Sequence, residues 1–138
     1  GIALAPDGGA GLLVVRVGCG TAADVVALPF TLDQGPMWGA LARIFGERRH
    51  VGLPSVAYAA RPAGYFIAVV VDASVVEVHH VNPDGTVQPG DVVEVHRQAA
   101  TLSPVVAIGG RDEGLSVVTG DAAGVADAAI RTWSLSCR

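Results

Sequence analysis

Lysine is absent from this 138-residue chain, whose nine basic residues are all arginine; thirteen acidic ones leave a net charge of −4. A general nucleic-acid binder needs positive charge gathered on one face, so the balance excludes that class of partner. The one basic cluster, Arg43, Arg48, Arg49 and His50, suits a helix C-terminus, where cations favour the macrodipole. Aromatic residues are scarce at 5%, which leaves no aromatic-and-basic surface for stacking bases. Cysteine is limited to Cys19 and Cys137, near opposite ends and without CxxC spacing. That excludes a disulfide-dense scaffold and a thiolate zinc cluster. Reduced thiols, the default for such a pair, imply a cytoplasmic setting. A Cys19–Cys137 disulfide would imply an extracytoplasmic one and, in the chain-entropy model, contribute about 4–5 kcal/mol.

Long apolar runs are also missing. The longest, residues 65–71, is far below the roughly 18 residues a membrane-crossing helix needs, so no membrane insertion is expected. No basic-then-apolar leader is read at the start, but Gly1 in place of Met raises the expectation of a processed chain or a piece of a longer polypeptide, which weakens any argument from a missing targeting signal. What is abundant is apolar: 51% of residues, against 16% charged, which argues for a packed core rather than disorder. The heavy Ala, Gly, Val and Arg usage reads as the imprint of a GC-rich genome.

The length fits one domain over residues 1–138. Period-two and β-branched runs predict strands at 12–17, 24–30, 55–59, 65–71, 75–81, 92–97, 105–108 and 115–118. Asp72-Ala73-Ser74 and Asn82-Pro83-Asp84-Gly85 carry turn chemistry between them. Met37, Trp38, Leu41, Ile44 and Phe45 recur at helical period, predicting an amphipathic helix over about 34–46 that covers the sheet. Trp38→Ala should then cost roughly 3–5 kcal/mol. A second helix is predicted over about 121–133, with Asp127 and Arg131 as an i,i+4 pair. The expected fold is therefore α+β: six to eight mainly antiparallel or mixed strands with two helices, in an order compatible with a β-grasp.

Two constellations could carry chemistry. Val76-Glu77-Val78-His79 is echoed by Val93-Glu94-Val95-His96. Alternation puts Glu77 with His79, and Glu94 with His96, on one face each, so neighbouring strands would gather a divalent-metal site, with His80 turned away. On a solvent face the same residues would be cross-strand pairs worth only about 0.2–1 kcal/mol. The stretch Val15 to Asp24, with Gly18 and Gly20, resembles the first motif of S-adenosylmethionine-dependent methyltransferases: a strand, a glycine turn, then a helix. That resemblance implies a cofactor turn at Gly18 and Gly20, with Asp33 as the ribose-holding acid. Arg16 stands where the family has an acidic residue, and Ala22 where it has a third glycine. Ser55 and Ser116 lack the Gly-x-Ser-x-Gly elbow of a nucleophile.

With no catalytic set and no cofactor required, the first expectation is a non-enzymatic module that works through a protein partner or as a homo-oligomer. The rivals are a small metal-binding protein or metalloenzyme using Glu77, His79, Glu94 and His96, and an S-adenosylmethionine binder.

Overall fold

The uninterrupted apolar run at 65–71 lies on a strand whose two faces are both buried, and the molecule is arranged around it. A computed structural model describes residues 1–18, 23–44, 50–72, 74–97, 102–111, 114–121 and 129–135. They form twelve strands: β1 (Ile2–Leu4), β2 (Ala10–Val17), β3 (Asp24–Thr31), β4 (Gly35–Pro36), β5 (Ala42–Arg43), β6 (His50–Ala60), β7 (Ala63–Val71), β8 (Val75–Val81), β9 (Val87–Arg97), β10 (Leu102–Arg111), β11 (Gly114–Asp121) and β12 (Ala129–Leu135).

Strands β1, β2 and β3 pair antiparallel in that order, and the short β4 and β5 both pair with β3. Strands β6 to β9 form an antiparallel meander, and β10 to β12 form another. The two meanders meet where β10 runs parallel to β6, with Val105 opposite Leu53. The close approach there needs glycine, because a Cβ on Gly110 would overlap the carbonyl oxygen of Tyr58. The seven strands curl until the outermost two, β9 and β12, approach each other. His96 of β9 and Trp133 of β12 lie with ring centroids 4.8 Å apart.

Strand β7 alternates between two cores. Tyr65, Ile67, Val69 and Val71 pack against Leu12, Val14, Val25 and Ala27 of the first sheet. Phe66, Ala68 and Val70 face the interior of the curl, against Val106, Leu115 and Val117. A strand buried on both faces has no polar alternation, which is why its sequence reads as continuous apolar residues. The turn between β8 and β9 forms as its residues dictate: Gly85 takes φ +85°, and the Asn82 and Thr86 backbones bond at 2.9 Å.

The α+β expectation is overturned, and with it the β-grasp arrangement. Among the described residues the only helical element is one 3₁₀ turn at Trp38–Ala40. Within 34–46, Gly35–Pro36 and Ala42–Arg43 instead extend the edge of β3. A helix there would carry Gly39 in its interior at about 1 kcal/mol, and most helical stability comes from packing against a surface. Both faces of β7 are already occupied by other strands. Ile44 alone of the apolar stripe reaches the core, while Met37, Trp38 and Leu41 stay exposed and Phe45 lies outside the described residues. The C-terminal helix is likewise replaced over Ala129–Leu135 by β12, which pairs along its length with β11. Trp133 and Leu135 pack inward with Thr132 and Ser134 outward, a period of two. Residues 122–128, with Asp127, lie outside the described residues, as do Cys19 and Cys137.

Candidate functional site

The sequence-predicted polar quartet sits on β8 and β9, and the structure brings part of it together. Glu77 and His79 alternate with Val76 and Val78 on β8, so both point toward the first sheet. Their side chains are buried, with His79 Nε2 3.1 Å from Glu77 Oε2. Burial of a hydrogen-bonded pair beside Val75 and Val81 makes this an internal polar contact rather than a solvated face. Glu94 lies directly across from Glu77, but its carboxylate receives two bonds from Arg97, Nε to Oε1 at 2.9 Å and Nη2 to Oε2 at 2.6 Å. Those bonds, then the charges of Glu94 and Glu77, raise the Arg97 pKa above its ordinary value.

His96 is elsewhere. Val76 pairs with His96 and Glu77 with Glu94, leaving Val95 as an extra residue on β9. Such a bulge breaks alternation. Val95 therefore packs in the interior of the curl and His96 follows it there onto Trp133. Three of the four residues share one face and the fourth occupies the other. Among the described residues no group of three or more His, Cys, Asp or Glu side chains is arranged to hold a metal ion.

The glycine turn resembling a cofactor loop follows β2, with Gly18 at φ +113°; Gly20 lies outside the described residues. What comes next is β3, paired with β2 from Ala10–Thr31 to Val17–Asp24. The motif's helix is thus replaced by the second arm of a hairpin. Asp33 lies in the exposed turn between β3 and β4, its pKa lowered first by a hydrogen bond from the Thr31 side chain.

Sequence reasoning missed two other features. The first is a cavity of about 280 Å³ inside the curl, walled by Phe66, Val78, Val93, Leu115 and Leu135. One end carries His80 and Asp91, joined Nδ1 to Oδ2 at 2.7 Å. The His80 ring stacks on Phe66 with centroids 4.8 Å apart and planes 20° from parallel. It lies over Gly64, where a Cβ would overlap the imidazole. The β8–β9 hairpin was the available signal: the turn at Asn82–Gly85 folds Asp91 back beside His80.

The second is the outer face of the first sheet. Ile2, Leu4, Val15 and Val17 are exposed there. Leu13, Leu28, Phe30 and Pro36 with Ile2 line a shallow apolar depression of about 140 Å³. Phe30 reaches across the sheet over its partner Gly11, which has no side chain to displace it. The charges on this face are matched at one end, where Arg43 Nη2 bonds Asp24 Oδ2 at 2.6 Å. Trp38, two residues beyond Pro36, is 71% exposed.

No known protein family, curated protein or solved structure matches the chain. No helix among the described residues is long and apolar enough to cross a membrane.

Proposed function

We propose that the chain is an assembly module that acts by contact rather than catalysis, associating with a second copy through the outer face of β1–β3. The observation that carries this reading is the apolar face itself. Side chains at Ile2, Leu4, Leu13, Val15, Val17 and Phe30 make a contiguous apolar surface on adjacent strands. Monomers rarely expose more than a few hundred Å² of such surface. Among the described residues, the Arg43 and Asp24 charges at the border of this shallow apolar patch are paired with each other, which favours a self-complementary, two-fold contact.

Sedimentation velocity across the micromolar range tests it. The wild-type chain should sediment as a dimer, and an Ile2→Asp/Leu13→Asp variant, folded by circular dichroism, should sediment as a monomer. A strictly monomeric wild-type protein, or a variant that associates unchanged, would overturn the reading. Trp38→Ala should weaken association while changing fold stability by no more than about 0.5 kcal/mol, the usual range for a surface side chain. That replaces the 3–5 kcal/mol expected of a ring buried under a helix.

A further inference from the structure

We propose that the cavity between β7–β9 and β11–β12 binds a small arylalkyl amine, its ring among the apolar walls and its ammonium on Asp91. The volume, about 280 Å³, is nearly twice the roughly 150 Å³ that accommodates benzene in an apolar protein cavity. It therefore takes one ring with a short chain. Pockets of this kind, mostly apolar with a few converging polar groups, are the usual form of small-molecule sites, and the mouths of curled sheets are a usual place for them.

The polar end is built rather than incidental. Asp91 is half-exposed at the rim and spends one oxygen on His80. A carboxylate offers about four acceptor positions, so its second oxygen remains able to take an ammonium proton. His80 fixes that carboxylate in place. Its ring is held by the stack on Phe66 and by the backbone of Gly64 beneath it, and its Nδ1 faces Asp91. Because a carboxylate only accepts, Nδ1 is the donor in that bond. His80 is thus a positioning residue, while Asp91 supplies the charge that selects a cation over an anion of the same shape. This inference does not depend on self-association: the cavity opens inside the curl, and the dimer face lies on the first sheet.

The test is a titration of the full chain with phenethylamine and with hydrocinnamate, which share a ring and chain but differ in charge, followed by methyl NMR. Phenethylamine should give saturable shifts at Val93, Leu115 and Leu135, and hydrocinnamate should bind at least about tenfold more weakly. Asp91→Asn should weaken the amine about tenfold or more. Val93→Trp, placed at a half-exposed rim position where the fold tolerates it, should abolish the shifts by filling the cavity. Absence of saturable shifts at millimolar amine would overturn the proposal. So would equal binding of the two probes, or amine binding that survives Asp91→Asn intact.

Discussion

Glu94 and His96, two residues apart on β9, point to opposite sides of the central sheet. The bulge at Val95 separates them, sending Glu94 to the rim beside Arg97 and His96 onto the indole of Trp133. The contact joins the two edge strands of the curl, so its loss should be felt in stability. His96→Ala is expected to cost about 0.5–1.5 kcal/mol, the range for an aromatic pair beyond its buried area. Urea denaturation measures this. Elemental analysis of the same variant should show the same metal content as wild type, since His96 does not share a face with the other three residues.

The buried Glu77–His79 pair should show strong non-additivity. Removing one partner takes the 3.1 Å contact away from a polar group that stays buried, whereas replacing both with apolar residues removes both polar groups from the interior. Glu77→Leu and His79→Leu alone are each expected to destabilise by about 2–4 kcal/mol, and the double variant by clearly less than their sum. A double-mutant cycle by chemical denaturation checks this. Additive losses would mean that the 3.1 Å contact contributes nothing in solution.

Strand positions were legible in the sequence because valine-rich runs punctuated by Asn82-Pro83-Asp84-Gly85 or Asp72-Ala73-Ser74 have few other uses. The apolar run at 65–71 even held the layer count, since only a strand covered on both faces loses alternation. The helices were misread for a definable reason. Met37, Trp38, Leu41 and Ile44 fit a period of 3.6, yet a short segment laid along the edge of β3 exposes three of them and buries the fourth. Periodicity over so few residues does not distinguish those outcomes. In Ala129–Leu135 the signal was present and overlooked: Trp133 and Leu135 alternate with Thr132 and Ser134. As for the site, a one-residue bulge at Val95 leaves no mark in the sequence, and it reverses which face His96 joins.

Gly64 and Gly110 are both held by close approach, and they should differ in severity. At Gly110 a methyl group would meet the backbone carbonyl of Tyr58, which belongs to the strand it pairs against and cannot rotate away. At Gly64 it would meet the imidazole of His80 and, at 2.8 Å, the carbonyl of Val81. Overpacking costs typically about 1–3 kcal/mol, and more where backbone must shift. Gly110→Ala is therefore expected at or above the top of that range, because it opens the parallel seam between β6 and β10. Gly64→Ala should also displace His80 from Phe66. Thermal unfolding ranks the two, and NMR of the His80 ring distinguishes a local shift from general loss of structure.

Acid sensitivity should trace in part to the β8–β9 turn. Asp84 Oδ1 accepts from the Thr86 amide at 2.9 Å and from the Thr86 hydroxyl at 2.7 Å, and Asn82 in turn donates to that hydroxyl oxygen at 2.9 Å. The backbone bond, then the hydroxyl, lowers the Asp84 pKa from its ordinary 3.8. A carboxyl whose folded pKa lies below its unfolded value binds fewer protons in the native state. Its contribution is thus present above the unfolded value and lost as pH falls through the folded one. The stability difference between wild type and Asp84→Asn should therefore be constant at neutral pH and shrink only below about 3.8. Denaturation of both proteins across that window measures it, with the carboxyl carbon of Asp84 titrated by NMR in parallel. A midpoint at the ordinary value would mean that Thr86 does not hold the ionised form, and the two stability curves would then run parallel into acid.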